Sequence, residues 1–270
     1  MRSDLHTTKH RTDNCWYKDN CSKYQTEDCC WKCRKMQQTK YMMDLSNLES
    51  PLKSFTGLDI SLLNKPCAEY IEAVLYDPRY FVDFGDNAYF YGPTGTGKTS
   101  WACRILIEYF SQVAESSYNQ CRGLFVSVPT LLRDIKCDIG HPHENPDFME
   151  FIRTIETTDL VIWDDIGVTM PTDYETIWLY SLISKRLLAK RANIFTSNVE
   201  PHSYLIERPQ LASRICLVSD CVEFTGADLR GSDGFLCRTQ KFISEHPGAF
   251  DYTSENYIGV AYNKQKSEGK

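Results

Sequence analysis

Apolar positions in the second half of the chain come as short unbroken runs separated by longer stretches with helical spacing. The runs Ala88 to Tyr91, Gly123 to Val128, Leu160 to Trp163, Asn193 to Thr196 and, with a weaker pattern, Cys221 to Phe224 read as strands. Between them, Ser100 to Ala114, Pro129 to Cys137, Pro146 to Thr157 and Thr172 to Lys190 place apolar residues three and four apart, as helices do. The last of these opens on Thr172-Asp173-Tyr174-Glu175, a spacing that lets Glu175 reach back to the Thr172 N–H as a capping box. Strands without internal polar alternation are buried on both faces. The pattern therefore predicts an α/β domain with a mainly parallel sheet covered by helices on both sides, and a ligand site at the carboxyl ends of its strands.

The link between the first strand and the first of these helices carries the strongest chemical signal. Gly92-Pro93-Thr94-Gly95-Thr96-Gly97-Lys98-Thr99 fits the phosphate-binding pattern G-x-x-x-x-G-K-[ST] at every fixed position. The glycines let the backbone curl its N–H groups around a β-phosphate, Lys98 supplies a mobile charge for the β- and γ-phosphates, and the Thr99 hydroxyl is placed to hold Mg²⁺. A helix leaving such a loop aims its N-terminus at the phosphates.

Downstream runs extend this site. Asp159-Leu160-Val161-Ile162-Trp163-Asp164-Asp165 is a strand ending in two carboxylates, the form of a Walker B element. Asp164 is expected to hold Mg²⁺ through water, and Asp165 to orient and deprotonate an attacking water. The strand Ala192-Asn193-Ile194-Phe195 leads into Thr196-Ser197-Asn198, where a polar side chain could sit between the two acids, and Asn198 is the candidate. Arg214, in Leu211-Ala212-Ser213-Arg214-Ile215, and Arg230, in Asp228-Leu229-Arg230-Gly231, are the candidates to reach a γ-phosphate in cis or from a neighbouring subunit.

The organisation expected is a Cys-rich head over residues 1–40, a linker or helical lead-in over 41–85, a nucleotide-binding core over 86–232 and an extension over 233–270. Twelve cysteines are present, and five of them, Cys15, Cys21, Cys29, Cys30 and Cys33, crowd into the head. Four thiolates can close a tetrahedral Zn²⁺ site, and Cys30-Trp31-Lys32-Cys33 lets one turn present two of them. The leading ligand set is Cys15, Cys21, Cys30 and Cys33, with Cys29 able to replace Cys30 and His6 or His10 able to replace Cys15. An iron–sulfur cluster or free thiols are the alternatives. Most of the scattered cysteines are expected to be small core residues.

Net charge is −6, yet residues 1–40 hold nine Lys/Arg against five Asp/Glu. With Trp16, Tyr17, Tyr24 and Trp31 the head would suit either a protein partner or a nucleic-acid surface. Since no apolar run reaches membrane-spanning length and the start lacks an apolar signal stretch, a soluble cytoplasmic protein without a membrane partner is expected.

The ordered set Gly92 to Thr99, Asp164-Asp165-Ile166-Gly167, Phe195-Thr196-Ser197-Asn198, Ala212-Ser213-Arg214-Ile215 and Arg230 resembles the AAA+ ATPases of the replicative helicase-loader group, the DnaC and DnaI type, and their relatives the IstB transposition helpers. By that resemblance, Lys98 and Thr99 match Walker A, Asp164 and Asp165 Walker B, Asn198 sensor 1, Arg214 the arginine finger and Arg230 sensor 2. It implies an ATP- and Mg²⁺-dependent homo-oligomer that loads a replicative DNA helicase onto single-stranded DNA, its zinc-bearing head engaging the helicase. Asp165 stands where many such proteins carry Glu, which shortens the reach to water and implies slow hydrolysis. The stretch after Asn198 leaves little room for a helical lid, so closure by a neighbouring protomer is expected. An IstB-like ATPase assisting transposition, a P-loop small-molecule kinase and a nucleotide-stabilised scaffold are the competing readings.

Overall fold

A computed structural model describes residues 24, 26, 33–48, 58–114, 121–137, 145–168 and 171–226. Met1–Gly226 form one compact unit and Ala227–Lys270 a second, and every described residue belongs to the first. Its strands are β1 (Asn87–Tyr91), β2 (Gly123–Ser127), β3 (Leu160–Asp164), β4 (Ala192–Ser197) and β5 (Asp220–Glu223). They pair in the order β2-β3-β4-β1-β5, all parallel, so the phosphate-loop strand lies inside the sheet between β4 and β5. Each strand falls on a run predicted from the sequence.

The two faces are covered by different helices, and successive strand residues alternate between them. Ala88, Phe90, Ile162 and Ile194 pack into one core with α2 (Lys65–Tyr76), α3 (Pro78–Phe84) and α4 (Lys98–Val113). Tyr89, Val161, Trp163 and Phe195 pack into the other with α5 (Val128–Cys137), α6 (Pro146–Thr157), α7 (Asp173–Leu188) and α9 (Pro209–Cys216). A short helix, α8 (Pro201–Glu207), joins β4 to α9 and adds Tyr204 to the second core. Because α4 leaves β1 on one face while the later crossovers use the opposite face, the direction of winding reverses between β1 and β4, the place where open α/β sheets hold their ligands.

Local sequence explains where these elements begin. Pro at the first turn with Asn64 or Asn145 as cap starts α2 and α6, each Asn side chain accepting a backbone N–H of the first turn. The capping box at α7 forms as predicted, with the Thr172 N–H donating to Glu175 at 2.6 Å and the Glu175 N–H donating to the Thr172 hydroxyl at 3.4 Å. Residues 58–85, read from sequence as part of a linker or helical lead-in, are largely helical and bury Cys67, Ile71, Val74, Phe81 and Val82 in the first core. Further upstream, α1 (Arg34–Leu45) packs on α4, and the Ser46 carbonyl beyond it accepts the Phe125 N–H of the edge strand β2 at 2.8 Å.

The seven scattered cysteines divide. Cys67, Cys103 and Cys216 are buried as expected of small core residues, whereas Cys121 is half-buried and Cys137 and Cys221 are exposed. Cys137 ends the amphipathic α5 and Cys221 sits on the edge strand β5, positions where the helical or strand register turns the side chain outward. Cys237 lies outside the described residues.

The amino ends of β3 and β4 are tied by one buried cation. Arg186 of α7 has no exposed surface, and all its donors are engaged: Nε with Asn193 Oδ1 at 2.7 Å, and the two terminal nitrogens with the carbonyls of Ile155, Thr158, Asp159 and Ala192 at 2.6 to 3.3 Å. Burial and the nearby Arg191 pull its pKa down to about 9, which still leaves it charged at neutral pH. Asn193 in turn accepts from Trp163 Nε1 at 3.0 Å and donates to Asn87 at 2.7 Å, so the network reaches β1. Arg186→Leu removes every donor from these acceptors and is expected to cost about 3 kcal/mol of folding free energy. Urea denaturation checks this, and an unchanged midpoint would show that the network contributes nothing.

Candidate functional site

The phosphate loop runs from β1 into α4 through three glycines with positive φ, Gly92, Gly95 and Gly97. At Gly92, φ is +138° and a Cβ would lie 2.1 Å from the carbonyl oxygen of Phe224, the residue after β5, whose N–H donates to the Tyr91 carbonyl at 2.7 Å. At Gly97, φ is +92°, and this left-handed residue precedes the first turn of α4 without a side-chain cap. The leading N–H groups of α4 thus face the loop, which is the arrangement that binds an anion. Within the loop, the Thr96 hydroxyl donates to the Pro93 carbonyl at 2.9 Å, and Lys98 Nζ donates to the carbonyls of Gly92 and Pro93 at 2.9 and 2.6 Å. The Lys98 ammonium is therefore held over the hollow of the loop, mostly buried.

Three elements meet at the Walker B acid. Asp164 Oδ1, at the end of β3, accepts from the Thr99 hydroxyl of α4 and from the Thr196 hydroxyl of β4, each at 2.7 Å. Burial pushes the Asp164 carboxyl above its ordinary range, and the hydrogen bonds from Thr99 and Thr196 counter that shift. A hydroxyl and a carboxylate converging beside a Lys-bearing loop form a hard oxygen donor set, which suits Mg²⁺ rather than a softer metal. The residues present thus fit a magnesium nucleotide, with Thr99 and Asp164 to hold the ion and the loop from Gly92 to Lys98 to hold the phosphates.

Asp165 follows in a left-handed conformation with φ of +58°, uncommon for a residue with a side chain. Its N–H donates to the Thr196 hydroxyl at 3.1 Å, and the next N–H, of Ile166, donates to the Thr196 carbonyl at 2.9 Å. The side chain that bridges the Asp164 carboxylate and the Asp165 backbone is Thr196, whereas Asn198, the candidate from the sequence, is exposed two residues further on. The sequence held a usable signal. The register pairs Trp163 with Phe195, so the residue after Phe195 must stand beside Asp164. Ser197, also buried, donates to the Ile166 carbonyl at 2.6 Å and accepts the Val199 N–H at 3.0 Å, fixing the loop that carries Asn198.

The remaining candidates lie apart from this cluster or outside the described residues. Arg214 is exposed on α9, its Nε donating to the Tyr180 hydroxyl at 3.1 Å and its guanidinium 5.5 Å from the centre of that ring. Arg230 lies outside the described residues, as do Cys15, Cys21, Cys29, Cys30, His6 and His10. Of the expected zinc ligands Cys33 alone is described, a half-buried free thiol preceding α1, and among the described residues no group of three or more His, Cys, Asp or Glu is placed to hold a metal. No described helix is long and apolar enough to cross a membrane.

Asp164→Asn keeps the shape of the buried side chain and removes its charge. It is expected to leave thermal unfolding without nucleotide nearly unchanged, yet to lower Mg²⁺-dependent ATP affinity roughly tenfold or more. Thermal shift with and without Mg²⁺ and ATP checks both halves, and a full nucleotide-induced shift in the variant would remove Asp164 from the site.

Comparison with known proteins agrees with this geometry. The family of IstB-like ATP binding proteins matches residues 7–215 of the chain. A protein from Streptococcus pyogenes serotype M3 described as a primosome component is 17% identical and superposes with a TM-score of 0.52 over 69% of this chain and 96% of its own. The replication initiator DnaA bound to AMPPCP and single-stranded DNA is 15% identical, with a TM-score of 0.51 over 82% of this chain and 70% of its own. The DnaC helicase loader is 17% identical, with a TM-score of 0.49 over 64% and 96%. Among curated proteins no sequence matches. At such identities the structural likeness concerns the fold, a P-loop AAA+ domain, while the sequence match extends over most of the chain. The chain belongs to the family of IstB-like ATP binding proteins.

Proposed function

We propose that this chain is an ATP-dependent loader of a replicative DNA helicase onto single-stranded DNA, with ATP bound between protomers as the assembly switch. The observation that carries the reading is the division of the nucleotide site. The phosphate loop, Thr99, Asp164 and Asp165 form one continuous cluster, while the candidate finger Arg214 is exposed on α9 and braced by Tyr180 rather than by that cluster. An arginine so placed is suited to reach the nucleotide of a neighbouring copy, where it can accelerate hydrolysis by orders of magnitude.

Magnesium ATP supplies the reactive phosphoryl group when bound. The chain's own groups then divide the work: Lys98 takes phosphate oxygens in place of loop carbonyls, Thr99 and Asp164 hold the ion, and Asp165 orients an attacking water and accepts its proton. Asn198, on the loop that Ser197 fixes, is the candidate to hold that water, and Arg230 the candidate for a second contact to phosphate. Loss of the γ-phosphate would remove Arg214's target and let the protomers part. Arg133 and Lys136, both exposed on α5, are candidates to face DNA. The Cys-rich head, as a zinc-bearing element, would grip the helicase.

The family match favours a second reading, in which the same ATPase core assists DNA transposition. Size-exclusion chromatography of the protein with its host's replicative helicase, with and without ATP and single-stranded DNA, separates the two. A loader is expected to form an ATP-sensitive complex that Lys98→Ala abolishes, and absence of any complex would turn the assignment towards a transposase partner. Metal analysis of the purified chain is expected to find about one zinc per chain. A content well below that, with no iron, would overturn the metal-bearing head.

A further inference from the structure

We propose that Thr196 is a positioning residue for ATP hydrolysis, its buried hydroxyl fixing the backbone of Asp165 and so aiming the carboxylate that acts on water. The proposal rests on reading the chain as an ATPase.

Chemistry sets the direction of both Thr196 hydrogen bonds. An ionised Asp164 can only accept, so the hydroxyl proton points to Oδ1 at 2.7 Å, and the lone pairs of the same oxygen face the Asp165 N–H at 3.1 Å. Thr196 has no exposed surface, so water is not at hand to replace either contact. The residue held this way has φ of +58°, the left-handed region that few residues other than glycine adopt but that aspartate tolerates better than most.

Two further contacts fix the same turn from β4, and a third holds the Ser197 hydroxyl that makes one of them. The Ile166 N–H donates to the Thr196 carbonyl, the Ser197 hydroxyl donates to the Ile166 carbonyl, and the Val199 N–H donates to Ser197 Oγ. Beyond the last backbone pair of β3 and β4, side-chain hydroxyls thus continue the ladder. Of these groups only the Thr196 hydroxyl bonds both the Asp164 carboxylate and the Asp165 backbone, which makes it the link between the ion-holding carboxylate and the residue that bears the water-activating one.

Valine is nearly isosteric with threonine but would leave the Asp165 N–H without its acceptor. In Thr196→Val the turn is therefore expected to loosen while the phosphate loop, built on α4 and β1, is unchanged. Expected results are a fall in kcat for ATP of roughly tenfold or more, a KM within about threefold of the parent, and exchange of the Asp165 amide hydrogen faster by roughly tenfold. Thr196→Ser retains the hydroxyl and is expected to restore all three to within about threefold of the parent. Thermal unfolding establishes that both variants are folded. A folded Thr196→Val with parental kcat and parental Asp165 protection, or one whose loss is confined to KM, overturns the assignment of Thr196 alone. A parent that turns over no more ATP than Lys98→Ala overturns the ATPase reading, and this assignment with it.

Discussion

A guanidinium shut away from water must find an acceptor for each of its N–H groups or the fold does not form, and Arg186 meets that demand with backbone carbonyls of α6 and of the segments entering β3 and β4. The requirement is directional. Carbonyls at the end of α6 and at the start of two strands must all converge on one planar group, so the spacing between those elements is set before any apolar side chain is counted. Asn193 carries the same constraint across to β1 through Asn87 and to β3 through Trp163. Close by, Asp159 is paired with Arg122 and Arg191 and accepts the Tyr109 hydroxyl, which ties α4 to the same edge of the sheet. The amino edge is thereby held by charge and hydrogen bonds, where none of the proposed chemistry takes place.

At the opposite edge the polar groups serve a different end. Asp164 is buried enough to disfavour its charge, and Asp165 has a backbone conformation that side chains resist. Both are sustained by hydroxyls of Thr99, Thr196 and Ser197 rather than by full ion pairs. Hydroxyls suit this place because they can donate to one partner while accepting from another, and they add no competing charge near a phosphate. Fixing one edge rigidly lets the other keep carboxylates in a state they would not choose on their own.

Much of this was legible in the sequence, and what escaped notice has physical causes. The parallel sheet could be read because strands buried on both faces are apolar without interruption, and α6 spans the very residues predicted since Asn145 and Pro146 leave no ambiguity about its start. The phosphate loop was legible because its glycines are needed for backbone conformation rather than for packing. Arg186 was not, since Lys185-Arg186 at the end of a helix looks like a solvated pair, and only tertiary structure shows one side chain turned inward and the other outward. The contact of Thr196 with Asp164 was not legible, because strand register decides which residue stands beside Asp164. Which of the scattered cysteines would turn outward, as Cys137 and Cys221 do, was not legible because cysteine carries no local sign of its orientation.

The helix that precedes the sheet has a mechanical meaning. With 12 residues, α1 is a rod roughly 18 Å long. Its flank rests on α4, the same helix whose first residues are Lys98 and Thr99, and the Ser46 carbonyl beyond its end is fastened to the outermost strand. The front of the described chain is thereby joined both to the helix that begins at the phosphate loop and to the margin of the sheet.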